Sequence, residues 1–124
     1  MSELTVADRV WNRATERKGQ GKPGDAALSA LLMAHGMVMN GGVLHCVEIL
    51  SEEELRDAIA GYQYFGIEVD QLFQRAKAAT QDEQDELESE LDEQYEQIAE
   101  DGLLVAAFEA HFAEHPHAYA PIAD

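Results

Sequence analysis

Apolar residues recur along this chain at intervals of three and four positions, the spacing that places side chains on one face of an α-helix. Such faces occur at 7–14, 55–62, 69–76, 87–98 and 104–112. Residues 25–39 are apolar nearly all round, as expected of a central helix surrounded by others. No useful run of alternating apolar and polar residues occurs. We therefore predict an all-α fold: one compact domain, residues 1–124, of six or seven short helices with no significant sheet.

Turn and capping signals separate the predicted helices. Ser51 and Glu54 have the spacing of a capping box, in which each side chain accepts a hydrogen bond from the backbone amide of the other residue. The glycines of Asn40-Gly41-Gly42 can adopt the positive φ that ends a helix. Further breaks are predicted in the turn-forming segment 18–24, at Gly66 and at Pro116.

One segment, QDEQDELESELDEQYEQIAED at residues 81–101, holds eleven carboxylates and neither Lys nor Arg. Its apolar residues form a narrow stripe of Leu87, Leu91, Tyr95 and Ile98. We therefore predict an acidic helix over about 82–100, with the stripe packed on the core of the domain. The carboxylates are then left to face outward.

The charge of the chain is concentrated in its second part. The net charge is −17: residues 1–77 carry eight bases and eleven acids, whereas residues 78–124 carry fourteen acids and no Lys or Arg. Direct nucleic-acid binding is disfavoured, because phosphate contacts need clustered Lys and Arg, and anionic membranes are disfavoured for the same reason. A basic protein is the partner that such a surface predicts.

Acids on one helix face are spaced about 4.5–6 Å apart along the axis, and duplex DNA carries a phosphate about every 3.4 Å on each strand. The two spacings are of the same order, so a rigid acidic helix can present a DNA-like row of charge. The candidate partner-binding residues are Asp85, Glu86, Glu88, Glu90, Asp92, Glu93, Glu96 and Glu100.

Three simpler explanations compete with a binding surface. The acids can form an ordinary solvated face, although like charges at Glu86/Glu90 and Asp92/Glu96 then repel without compensation. Adaptation to a salty cytoplasm would spread acids over the whole chain, yet residues 1–77 are nearly balanced. Internal pairing with a stripe of Arg9, Arg13 and Arg17 offers three charges against fourteen.

Residues with catalytic or metal-binding chemistry are sparse. His111 and His115 are one turn apart with Glu114 nearby, but Phe112 stands where a zincin has its Glu, and His111 falls on an apolar face. His35, His45 and Cys46 lie in apolar surroundings and are interpreted as core residues. No calcium-binding loop, phosphate-binding glycine loop or nucleophile motif is present. We predict no metal, no cofactor and no enzymatic activity.

The expected location is the cytoplasm. A single Cys suits a reducing compartment, and no basic-then-apolar leader opens the chain. The longest apolar stretch, AALSALLMAHGMVM, is interrupted by Ser29, His35 and Gly36 and is predicted to be too short to span a bilayer.

Three features together resemble the DNA mimic protein 19-like family. They are the apolar helix ending in Asn40-Gly41-Gly42, the pair YQYFGIEVDQLFQRAKAA joined at Gly66, and the acidic LDEQYEQIAED leading into AAFEAHFAEHP. The resemblance covers roughly residues 28–115. It implies a small, acidic, often dimeric helical protein that occupies the DNA-binding surface of a regulator. Members of that family usually have aromatic residues after Asn-Gly-Gly, where this chain has Val43-Leu44-His45-Cys46.

Two functions follow from an acidic binding helix. The leading prediction is a non-enzymatic DNA mimic that blocks the basic surface of a DNA-binding regulator. The alternative is an immunity-type inhibitor of a basic nuclease toxin. A third hypothesis, an enzyme that uses His111, His115 and Glu114, predicts stoichiometric bound metal.

Overall fold

A computed structural model describes residues 5–16 and 22–120 of the chain. The prediction of an all-α domain is confirmed over these residues, which contain no strand. The α-helices are α1 Val6–Glu16, α2 Pro23–Ile49, α3 Glu52–Tyr64, α4 Asp70–Ala78, α5 Gln81–Ala99 and α6 Asp101–Glu114. A single 3₁₀ turn, Pro116–Ala118, follows α6. Most of the predicted turn at 18–24, and Arg17 with it, lies outside the described residues.

Helix α2 is the centre of the fold, and α1, α3, α4 and α5 all pack against it. The predicted break at Asn40-Gly41-Gly42 is confirmed as a kink, since Gly42 has φ 93° and ψ 174° within the helix. Helical geometry resumes directly after Gly42, so α2 spans 27 residues in all. The expectation that all the helices are short is therefore wrong for α2.

By length and hydropathy α2 is also long and apolar enough to cross a membrane, which corrects the expectation that its apolar stretch is too short. Within the domain, however, its polar residues Asp25, Ser29 and His35 are buried and hydrogen-bonded. The Asp25 carboxylate accepts from Arg13 Nη2 at 2.7 Å and from the Ala120 amide at 2.7 Å. This contact ties α1 and the end of the described chain to the start of α2.

The main core forms where α3, α4 and α5 meet α2. Its largest fully buried side chains include Tyr62, Phe73 and Leu91. The predicted helix signals around it are confirmed. Ser51 and Glu54 form a capping box at α3, with amide-to-oxygen distances of 3.0 and 3.1 Å. Gly66, at φ 79°, lies in the turn that follows α3.

A second, smaller core joins the two ends of the described chain. Val10 and Ala14 of α1 pack with Leu28, Phe108 and Tyr119. The predicted apolar faces of the first and last helices are thereby confirmed, and α6 ends at Glu114 before Pro116, as predicted. The acidic helix α5 stands apart from this second core, with its buried residues in the main core.

Candidate acidic interaction surface

The chain fixes the start of α5 with local hydrogen bonds. Thr80 is the N-cap: its side-chain oxygen accepts from the Glu83 amide at 3.3 Å, and Glu83 Oε1 accepts from the Thr80 amide at 3.0 Å. The Thr80 hydroxyl also donates to Glu83 Oε1 at 2.8 Å, and the two bonds that the carboxylate accepts from Thr80, from its amide and its hydroxyl, lower the pKa of Glu83. The T-x-x-E spacing is a capping box, so this signal is readable from the sequence.

One seam of α5 faces the core. Leu91, Tyr95 and Ala99 are buried, and Leu87 is half-buried, so three of the four predicted anchors are confirmed. Ile98 is not an anchor: 38% of it is exposed. A row at i, i+4, i+8 advances about 40° around a helix at each step. By the last turn the buried seam has therefore moved to Ala99, about 100° away from Ile98.

The other sides of α5 carry carboxylates that point into solvent. Eight of its nine acids are exposed, and we call these eight the acidic surface: Asp82, Glu83, Asp85, Glu86, Glu88, Glu90, Glu93 and Glu96. Glu90 lies 3.4 Å from the Arg75 guanidinium of α4, a pair that is half exposed on both sides and therefore contributes little stability. Arg13 does not serve the acidic surface, because it binds Asp25.

Asp92 differs from the other predicted contact residues because the fold itself uses it. Asp92 is half-buried, and its Oδ1 accepts a hydrogen bond of 2.8 Å from the Val43 amide. The kink at Gly42 leaves that amide without its usual intrahelical acceptor. A carboxylate from α5 thus caps the second segment of α2, which fixes α5 relative to the kink.

A groove lies between the kink of α2 and the junction of α5 with α6. Its volume is about 420 Å³, and Val38, Met39 and Tyr95 form its apolar part. The polar part consists of carboxylates, from Asp92 and Glu96 of α5 and from Glu100 and Asp101 at the junction. Glu100, a predicted contact residue, is therefore placed at this groove.

A hydrogen-bonded chain runs from the exposed Asp101 carboxylate at the groove into the core. Asp101 Oδ1 lies 2.5 Å from His35 Nε2, His35 Nδ1 lies 2.7 Å from the Tyr95 hydroxyl, and that hydroxyl lies 2.6 Å from the Tyr62 hydroxyl. His35 and Tyr95 are 7% and 3% exposed, and Tyr62 is fully buried. The apolar surroundings of His35 in the sequence indicate a core histidine. They do not indicate its hydrogen-bond partners, because these lie 60 and 66 positions away.

Among the residues considered for catalysis, the rings of His111 and His115 lie 4.9 Å apart, and His115 lies 3.9 Å from Glu114. Burial raises the pKa of the Cys46 thiol to about 12, so the thiol stays protonated and unreactive at neutral pH. His111 Nδ1 bonds the Tyr119 hydroxyl at 2.8 Å, and desolvation followed by the nearby His115 lowers the pKa of His111. Within residues 5–16 and 22–120, no three His, Cys, Asp or Glu side chains come together as metal ligands would.

No protein-family model, curated protein or solved structure matches this chain. The resemblance to the DNA mimic protein 19-like family therefore stays a prediction.

Proposed function

We propose that this protein is a non-enzymatic interaction protein that occupies the basic DNA-binding surface of another protein. The observation that carries the proposal is α5, a well-anchored helix with eight exposed carboxylates. No Lys or Arg occurs anywhere in residues 78–124 to neutralise them from within that part of the chain.

The length and charge of α5 are those of a short piece of a DNA strand. A helix of 19 residues is about 28 Å long at 1.5 Å per residue. Over the same length one DNA strand carries about eight phosphates. Eight exposed carboxylates on α5 therefore match the phosphate count of one strand, although they spread around the helix over more than half of its circumference.

The acidic surface is held in place before a partner arrives. Leu91, Tyr95 and Ala99 anchor the helix, the Thr80 box fixes its start, and Asp92 holds it to α2. A pre-organised surface loses less conformational entropy on binding than a mobile acidic tail does. A strong negative field also accelerates association with a basic partner, and salt weakens that acceleration.

The proposal is tested by affinity capture from the native lysate. The bait is compared with a variant that removes four exposed charges, none of which forms an ion pair with another described residue: Asp85→Asn, Glu86→Gln, Glu88→Gln and Glu93→Gln. Wild type is expected to capture a basic protein. When that protein is purified and bound to a labelled DNA duplex, added wild type is expected to displace the DNA. At about 0.2–1 kcal/mol for each exposed ion pair, the loss of four pairs should make the variant compete at least about fourfold more weakly.

The matched control carries the same change in net charge on other exposed acids: Glu48→Gln, Asp57→Asn, Glu68→Gln and Glu109→Gln. It is expected to retain the partner, because the charge it loses does not lie on α5. Equal capture by wild type and both variants would refute a role for the acidic surface. Capture of a nuclease whose catalytic activity is blocked, rather than of a regulator displaced from DNA, would identify the immunity-type inhibitor instead.

The cytoplasmic location and the homodimer implied by the family resemblance belong to the same proposal. The location is tested by fractionating the native cells, and the oligomeric state by sedimentation at two salt concentrations. A homodimer would have to overcome the repulsion between two chains of charge −17 each.

A further inference from the structure

The groove at the kink of α2 combines an apolar wall with a carboxylate rim. Met39 is 64% exposed, the most exposed large apolar side chain among the described residues, and it lines the groove beside Val38. An exposed apolar patch that polar residues rim is one mark of a binding groove. The groove lies directly beside the acidic surface, since Glu96 belongs to both.

The electrostatics of the groove favour a cation. Glu96 and Glu100 are exposed and make no ion pair with another described residue, whereas Asp92 and Asp101 each hold one hydrogen bond within the fold. Val38 and Met39 lie in the last turn of α2 before the kink, where a helical segment presents the negative end of its dipole. None of the described residues that line the groove is Lys or Arg.

We propose that this groove receives one arginine side chain of the basic partner, an inference that rests on the proposed function. The aliphatic part of an arginine packs on apolar surface while its charged end stays at a polar rim. Here that arrangement places the stem on Met39 and the guanidinium between Glu96 and Glu100. Arginine fits better than lysine because its planar fork can donate to two carboxylates and is more weakly hydrated.

A tetraarginine peptide, acetylated and amidated, is the probe, and its binding to the full chain is followed by amide chemical-shift changes in low salt. The expected shifts cluster at 38–41 and 95–102. Two variants of equal net charge are compared, Glu96→Gln/Glu100→Gln at the groove and Glu86→Gln/Glu93→Gln on the outer side of α5. Loss of two local ion pairs should weaken binding about fivefold for the groove variant, against less than about twofold for the outer variant.

The apolar wall is tested at constant charge. Met39→Ser should weaken tetraarginine binding about twofold to threefold, because the arginine stem loses its contact. Tetralysine of equal charge should bind at least about threefold more weakly than tetraarginine. Circular dichroism and a urea titration of each variant confirm that it folds as wild type does before its affinity is compared.

Each remaining result contradicts a distinct part of the inference. Equal weakening by the groove and outer variants would show that charge acts over the whole helix, which refutes the groove but leaves the proposed function standing. Equal affinity for tetraarginine and tetralysine would refute the assignment to arginine. Binding that neither variant weakens would refute both the groove and the proposed function, because the peptide would then be recognised away from α5.

Discussion

Replacement of Tyr95 by Phe removes the hydroxyl at the centre of the hydrogen-bonded chain that joins Tyr62, Tyr95, His35 and Asp101. We assign the directions of these hydrogen bonds from one tautomer of His35. With the Nε2 hydrogen donated to the Asp101 carboxylate, Nδ1 accepts from the Tyr95 hydroxyl. Tyr95 in turn accepts from the Tyr62 hydroxyl. Every buried side-chain nitrogen and oxygen of these four residues then has a hydrogen-bond partner.

The magnitude follows from the groups that each substitution leaves unpaired. Tyr95→Phe leaves both His35 Nδ1 and the Tyr62 hydroxyl unpartnered in the core, at about 1–3 kcal/mol each. Tyr62→Phe leaves the bond from Tyr95 to His35 intact and removes only one donor, for about 0.5–1.5 kcal/mol. We therefore expect Tyr95→Phe to lower the free energy of unfolding by roughly 2–6 kcal/mol, clearly more than Tyr62→Phe does.

The assay is urea unfolding at pH 7.5, followed by circular dichroism, for both single variants and the double variant. The double variant should be no less stable than Tyr95→Phe alone, because the second substitution removes the hydroxyl that the first leaves unpaired. A Tyr62→Phe variant that loses as much stability as Tyr95→Phe would refute the direction assigned to the chain. The free energies can be compared if the free energy of unfolding falls with urea concentration at the same slope in every variant.

Two further predictions concern the kink and the core thiol. Gly42→Ala should destabilise the fold by about 1–3 kcal/mol, because φ is 93° and a Cβ would lie 3.0 Å from the Asp92 carboxylate. The control is Gly36→Ala, whose Cβ would have nothing within 4 Å, and it should raise the melting temperature instead. Cys46 should react with a thiol reagent at pH 8 only at the rate of unfolding, because burial raises the thiol pKa to about 12. The free energy of unfolding should also fall as the pH rises from about 9 towards 12, because the unfolded chain releases the thiol proton at a lower pH than the folded chain does. Rapid reaction in native conditions, or a flat stability profile over that range, would contradict the second prediction.

The helices could be predicted from the sequence because their signals are local. Apolar periodicity located the acidic helix to within one residue at each end, and Ser51, Gly66 and Pro116 marked boundaries that the structure shares. The kink was harder. Asn40-Gly41-Gly42 indicates a break, but whether a helix resumes beyond a glycine depends on what satisfies the next amide. Here the acceptor is Asp92, 49 positions away from Val43.

The site was only partly predictable for the same reason. Charge composition identified the acidic surface but could not separate exposed acids from those that the fold employs, such as Asp92. The apolar spacing predicts that Ile98 is buried on the same face as Leu91. The buried residues of α5 instead follow each other at intervals of four, so in the last turn Ala99 is buried and Ile98 is exposed. The partners of His35 depend on how α2, α5 and the start of α6 pack against one another, which no short stretch of sequence encodes.

The acidic surface and the stability of α5 depend on different residues, and this separation makes the proposed function testable. Like charges at four-residue spacing oppose helix formation by a few tenths of a kcal/mol per pair. Burial of Leu91 and Tyr95, by contrast, stabilises the helix by about 1.5–3 kcal/mol for each large side chain. Neutralising exposed acids therefore relieves repulsion without touching the core. Loss of partner binding in such variants reports on the surface itself, because the fold that presents it is kept.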